Sequence, residues 1–269
     1  YAVGLRVDNA VATMARARAM GAQPFEQRVA EGELRIPAIR GVGGGLIYFI
    51  DDRSDLARVW DIEFQPIAGG LASAGLTHID HVAQTMNYEE MLTWVLFYTS
   101  ILATTKSPMV DVLDPGGIVR SQVIENPSRS LRLTLNGADN SRTIAGHFVS
   151  ETFGSSVQHL AFASNDLLAS ARTLQQRGFQ PLEISSNYYD DLEARFGLPA
   201  ETTAELRAAH ILYDRDEHGE FLQLFSQPLG EGFFFEVVER RGYEGYGAPN
   251  APFRIAAQRA AMQSGSAAS

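Results

Sequence analysis

The feature that most constrains this 269-residue chain is an internal repeat. Aligned without gaps, YAVGLRVDNAVATMARARAMGAQPFE from Tyr1 follows the pattern of QHLAFASNDLLASARTLQQRGFQPLE from Gln158. Ala12 meets Ala169, Gly21 meets Gly178, and Gln23, Pro24 and Glu26 meet Gln180, Pro181 and Glu183. Both segments read as a strand, a polar cap, a helix, a glycine stop and an extended run. Asn9 and Asp166 fall at N-cap positions, where a side-chain oxygen takes up a free helix amide. Gly21 and Gly178 fall where a left-handed residue closes a helix. A third copy starts with HIDHVAQT, which contains His81. Asn87 then stands as N-cap with Glu90 at capping-box spacing, and EEMLTWVLFYTSIL is an apolar-rich helix. MVDVL, IVRSQVI and LRLTL read as three strands separated by the turn formers DPGG and NPSRS. In the Gln158 copy the strands are FQPLEI, ILYDRD, FLQLFS and FFFEVVE; in the Tyr1 copy they are ELRIPAI and GLIYFID, followed by a hinge-like segment at Pro66–Gly75. The repeating unit is a strand, a helix and about three strands, which predicts an α+β fold of βαβββ modules. The expected divisions are 1–68, 76–250 and a tail, 254–269, whose AAMQSGSAAS reads as disordered.

Three residues in apolar, strand-like runs carry the chemistry: His81 in HIDHVAQ, His159 in SVQHLAF and Glu236 in GFFFEVV. Two imidazoles and a carboxylate converging on one cavity form the triad that suits non-haem Fe(II), with positions left open for substrate and O2. The same donors accept Mn, Co or Mg. The plain alternative is two satisfied core histidines and a strand-end glutamate. In the repeat alignment Ala2 stands where the other copy has His159, so a metal site belongs to the second and third copies only. Alternation along FFFEVVER puts Phe234, Glu236 and Val238 on one face and Phe235, Val237 and Glu239 on the other. A lone carboxylate in a buried strand is costly unless it is paired or binds metal, which selects Glu236. Glu239, beside Arg240 and Arg241, reads as a surface charge. His78 falls on the face opposite His81. GVGGG at 41–45 lacks the lysine and following helix of a phosphate loop and reads as a tight hairpin. Asp190 and Asp191 read as a solvated helix start.

Composition removes other classes. With no cysteine, disulfide, zinc–thiolate and thiol-nucleophile chemistry are excluded. A net charge of −10 with 22 scattered basic residues argues against nucleic acid and anionic membranes. No apolar run is long enough to span a bilayer, no signal peptide is visible, and a cytoplasmic setting fits. The chain opens without Met inside the strand-like AVGLRV, which predicts a piece of a longer protein.

With IPAIRGVGG (36–44), IDHVA (79–83), VQHLAFAS (157–164), FLQLFSQP (221–228) and FFFEVVERRGYEGYG (233–247) in place, the chain resembles the 4-hydroxyphenylpyruvate dioxygenases of the vicinal-oxygen-chelate superfamily. The resemblance covers most of the chain and implies βαβββ modules in two open, glyoxalase-like barrels, the first of them truncated here. It implies Fe(II) held by His81, His159 and Glu236. It also implies an aromatic 2-oxo acid and O2 as small-molecule partners and a homo-oligomer. Ser121, Asn136, Gln158 and Gln223 match polar pocket positions of the family, although alternation points Gln158 away from His159. Phe225 and Phe234 match aromatic pocket positions. The family usually has GNF after the Gly-rich turn, with the Phe against the substrate ring; here Ala251 stands at that place, a change worth about 1 kcal/mol of aromatic packing. SSNYYDDLEARFGL and YGAPNAPFRIAAQ look closer to one branch, the C-terminal domain of bacterial bifunctional 3-dehydroshikimate dehydratases. That branch implies a fused N-terminal dehydratase domain. The readings that follow are a working Fe(II) dioxygenase, a non-catalytic metal-binding module beside a dehydratase, and metal-assisted isomerase or lyase chemistry.

Overall fold

In a computed structural model of the chain, residues 1–67, 70 and 72–266 are described. The expected repeat is present as three copies of one strand order. In the first, β1 (Ala2–Arg6) leads into α1 (Ala10–Ala19) and then β2 (Pro24–Phe25), β3 (Ala38–Arg40) and β4 (Leu46–Ile50). The sheet order is β1-β4-β3-β2, with β1 and β4 parallel. A short helix, α2 (Val59–Glu63), follows. The second copy comprises β5 (Leu76–Asn87), α3 (Tyr88–Ile101), the short β6 (Thr105–Lys106), β7 (Val110–Asp114), β8 (Gly117–Glu125) and β9 (Arg132–Ala138). Here too the first strand pairs in parallel with the last, in the order β5-β9-β8-β7. After α4 (Ile144–Glu151), the third copy has β10 (Ser156–Ser164) and α5 (Leu167–Gln176). Two further helices, α6 (Ser186–Phe196) and α7 (Ala200–Ala209), precede β11 (Leu212–Arg215), β12 (Glu220–Phe225) and β13 (Phe234–Arg241). Its order is β10-β13-β12-β11, again with a parallel first and last pair. Antiparallel pairing of β10 with β5 fuses the second and third copies into one curled nine-stranded sheet.

The capping chemistry explains why the helices start where they do. Asn9 accepts from the amide of Ala12 at 2.8 Å and Asp166 from that of Ala169 at 2.9 Å, each interaction being worth about 1 kcal/mol. Gly21 and Gly178 close their helices at φ 85° and 92°. The Asn87–Glu90 pair differs from expectation: Asn87 makes no cap bond, and its amide donates to Glu90 at 3.1 Å. The GVGGG segment forms the tight β3–β4 connection, and a Cβ on Gly43, at φ 59°, would lie 1.6 Å from the Ser155 carbonyl.

Two expectations fail for local reasons. FQPLEI contributes only an isolated bridge, Pro181 with Ser226, and no strand; its proline removes a ladder donor. Of the stretch expected to be disordered, 260–269, residues 260–266 are the end of a helix, α8 (Ala251–Ser266), which buries Ile255 and Gln258. Its alanines favour helix, and Phe253, Ala257 and Ala261 hold it down against the core of the third copy. Residues 267–269 and part of the hinge-like segment, 68, 69 and 71, lie outside the described residues. Among the described residues no helix is long and apolar enough to cross a membrane.

Candidate metal centre

The joint between β5 and β10 builds the centre. His81 pairs with Ala161, and Ala161 pairs with Glu236, so the three stand in one row across β5, β10 and β13. His159 occupies the next inward-facing position of β10, beside Phe234. Ala161, fully buried between His81 and Glu236, keeps the row open because its side chain is a single methyl group. The imidazole Nε2 atoms of His81 and His159 are 3.2 Å apart, and Oε2 of Glu236 is 3.3 and 3.4 Å from them. One ligand atom from each residue falls within 4.8 Å of the others. Ligands bound about 2.1 Å from one ion at right angles are about 3 Å apart, so the donor set fits a single cation. None of the three residues is more than 7% exposed, which makes the group an interior one.

Outer residues fix how each donor presents itself. His81 Nδ1 is 2.8 Å from Asp80 Oδ1, which leaves Nε2 of the neutral ring as the free lone pair. Asp80 accepts a two-pronged bond from Arg240, at 2.8 and 2.9 Å, and a third from Arg132 at 3.1 Å. Burial alone would raise the Asp80 carboxyl, but the bond to His81 and the Arg240 guanidinium override it and hold the group well below the usual carboxylate range. Burial would likewise strip the His81 proton, but the fields of Glu236 and Asp80 win and push the imidazole up to about 9. The negative field that holds this proton is the field in which a cation is stable. His159 is pushed the other way, well below its ordinary value, by burial first and then by the charges on His81 and Arg254. Its ring is held by packing, stacked on Phe234 with centroids 4.6 Å apart, and its buried Nδ1 has no hydrogen-bond partner.

Glu236 is held by a relay. Gln223 donates to Glu236 Oε1 at 2.9 Å, Asn250 donates to Gln223 at 2.9 Å, and the Tyr188 hydroxyl donates to Asn250 at 3.0 Å. Gln223, expected to bind substrate, therefore has its amide spent on orienting the carboxylate. Ser121 and Asn136 pair across β8 and β9, and Phe225 meets Phe234 edge-on at 6.0 Å. Gln158 departs from the alternation argument. It is the extra residue of a bulge, since Val157 pairs with Gln84 and His159 with the next residue, Ala83. A bulge suspends strict alternation, and Gln158 lines a cavity with Asn136 and Arg254 while accepting from Thr85 at 2.9 Å. Glu239 is a correction: it is buried on the opposite face and accepts from the amide of Leu167, the first residue of α5, at 2.7 Å. His78 is exposed, and Asp190 and Asp191 are exposed partners of Arg207 and Arg195.

The reading from sequence missed Asp80, Arg240, Asn250, Tyr188 and Arg254. The adjacency of Asp80 to His81 was a visible signal for the first. Tyr188 and Asn250 lie in stretches singled out on other grounds, but nothing in the sequence says that they meet.

The comparisons agree with this geometry. Residues 1–65 match the family described as hydroxyphenylpyruvate dioxygenase, HPPD, N-terminal. A 4-hydroxyphenylpyruvate dioxygenase from Pseudomonas sp. (strain P.J. 874) is 31% identical, over 92% of this chain and 72% of the relative. The chain belongs to the 4-hydroxyphenylpyruvate dioxygenase family. Its α+β architecture is the vicinal-oxygen-chelate fold. A 3-dehydroshikimate dehydratase from Pseudomonas aeruginosa is 38% identical over 95% of this chain and 41% of its own length. A solved structure described as a xylose isomerase-like TIM barrel/4-hydroxyphenylpyruvate dioxygenase fusion protein superposes with a TM-score of 0.80 at 36% identity, over 96% of this chain and 41% of that one. This chain thus spans about two-fifths of the length of those two proteins.

Proposed function

We propose that this chain is a metal-dependent, dioxygenase-like domain in which His81, His159 and Glu236 hold Fe(II). The observation that carries the reading is the convergence of three interior donors, two of which have their remaining polar atoms already fixed. His81 points Nε2 inward because Nδ1 is engaged by Asp80; Glu236 points Oε2 inward because Oε1 is engaged by Gln223. Phe234 sets the plane of the His159 ring, and the surrounding apolar residues exclude water, which strengthens every charge interaction inside. An Fe(II) ion held there supplies a redox-active Lewis acid with open positions for a 2-oxo acid and O2. Asn136 stands ready to hydrogen-bond a ligand in the neighbouring cavity, where Gln158 presents its amide, and Ser121 is the strand partner of Asn136.

The proposed parent is a bifunctional protein of the cytoplasm, with 1–68 completing a preceding half-barrel, 76–250 forming the metal-binding barrel, and a dehydratase domain fused N-terminally. The 36%-identical fusion of a xylose isomerase-like TIM barrel with a 4-hydroxyphenylpyruvate dioxygenase, of which this chain covers 41%, supports that arrangement. A second reading, a metal-binding module without oxygen chemistry that serves the fused dehydratase, is favoured by the 38% identity to proteins named dehydratases. Anaerobic Fe(II) loading followed by O2 uptake with 4-hydroxyphenylpyruvate decides between them. Substrate-dependent uptake with homogentisate formed supports the dioxygenase. Retained iron with no uptake supports the module, and failure to retain iron at all sinks both.

A further inference from the structure

Arg254 makes no hydrogen bond to His81, His159 or Glu236, although its charge reaches His159. It lies one turn into α8, with its guanidinium 5.7 and 5.3 Å from the ring centroids of Phe225 and Phe234. Phe234 is the ring on which His159 stacks. Arg254 donates one hydrogen bond, from Nη1 to Gln258 at 2.7 Å, and forms no ion pair with a carboxylate among the described residues. The two carboxylates whose fields reach it are committed elsewhere. Glu236 serves the histidines and Gln223, and Asp114 serves Arg259 and the Ile144 amide. Burial accordingly lowers the proton affinity of the guanidinium. The cations around Asp80 show the contrast, because Arg240 and Arg132 are both paired with it. A partly buried cation without a counter-charge has lost solvation that the chain does not replace, and a ligand can supply what the protein withholds.

The space beside it suits that ligand. Arg254 borders a narrow cavity of about 40 Å³ with Asn136, Gln158, Val119, Ile255 and Asp114, whose carboxylate is already paired with Arg259. Asn136 makes no side-chain hydrogen bond to another described residue. None of His81, His159 or Glu236 lines this cavity. The cavity has room for an acid group against a guanidinium and two side-chain amides.

We propose that Arg254 anchors a second acid group, so that the site selects a ring-bearing 2-oxo acid with an additional carboxylate over the corresponding monoanion. Only the placement of the 2-oxo end rests on the metal-centre reading; recognition of the far carboxylate by Arg254 does not. The test is calorimetric titration of the chain, metal-free and Co(II)-loaded, with phenylpyruvate and with 4-carboxyphenylpyruvate. The wild type should bind the dicarboxylate at least tenfold more tightly in both forms. Arg254→Leu should erase that preference and Arg254→Lys should keep part of it. The Tm of Arg254→Leu should equal or exceed that of the wild type, because a partly buried charge without an ion-pair partner has been removed. A wild type without the preference, or an Arg254→Leu protein that keeps it, overturns the proposal. So does a lowered Tm with equal loss for both ligands, which would make Arg254 structural. The visible spectrum of bound Co(II) reports on the triad separately: preference intact in the metal-free chain, with no Co(II) bound, would sink the metal centre and leave Arg254 standing.

Discussion

The first and third copies of the module are the same device with different contents. In each, the first strand pairs in parallel with the last, Gly4 with Tyr48 in one and Ala161 with Glu236 in the other. Three residues beyond each partner stands an acid that accepts from the first amide of the module's helix. Asp51 takes the Ala10 amide at 2.7 Å, and Glu239 takes the Leu167 amide at 2.7 Å. That shared bond fixes the equivalence of Tyr48 with Glu236 and of Ala2 with His159. An acid that accepts from the first helix amide is present in both copies, while the two positions proposed as metal ligands in the third are filled by Ala2 and Tyr48 in the first. Folding of the module therefore does not require the ligands, and chemistry has been placed on only part of a repeated frame.

The largest expected effect breaks the comparison at its centre. Glu236→Ala should abolish Co(II) or Fe(II) retention, whereas Tyr48→Ala should leave it unchanged, with metal content measured after dialysis. In the wild type, Co(II) at 100 times its dissociation constant should stabilise the chain by about 2.7 kcal/mol, visible as a raised Tm that Glu236→Ala lacks. Equal metal content in the two variants would remove the distinction between the copies. Filling the row between ligands is a second route to the same loss: Ala161→Leu should exclude the ion while Gly4, its counterpart beside Tyr48, has no ion to exclude.

Next in size is Asp80→Asn. It keeps the shape but weakens the acceptor that orients His81, and such outer-shell changes cost about 10- to 100-fold in metal affinity. Asn250→Ala, acting through Gln223 on Glu236, should cost less, because Gln223 itself remains. Calorimetric affinities that place Asn250→Ala below Asp80→Asn would show that the carboxylate, not the histidine, is the donor most dependent on support.

How much of this was legible depended on the range over which the information is carried. The module order, the caps at Asn9 and Asp166 and the glycine stops are local, and the sequence displays them within ten or so residues. Glu236 was separable from Glu239 by alternation along one strand. Alternation failed at Gln158 because a bulge is set by the partner strand, β5, and not by the residues of β10. It also misjudged Glu239: it assigned the correct face, but that face is covered by α5, and only the packed structure shows that the cover supplies an amide. Arg254 was hidden for the opposite reason. An alanine-rich segment at the end of a chain has the composition of a tail, and what makes it a helix with a partly buried cation is docking against Phe225 and Phe234.

The smallest effect sharpens the equivalence itself. If the acid-to-helix bond is the common device, removing it from either copy should destabilise without touching the metal. Glu239→Ala leaves the Leu167 amide without its acceptor inside the protein, which should cost about 1–2 kcal/mol. For a chain of this size that is a fall in Tm of roughly 2–8 °C. Asp51→Ala should lower Tm further, since Asp51 also accepts from the amides of Arg53 and Ser54, at 3.1 and 2.9 Å, and so ties down the turn after β4. Co(II) affinity should be unchanged in both. A loss of affinity in Glu239→Ala alone would mean that β13 transmits the cap to Glu236 three residues away, and the frame and the chemistry would then not be independent.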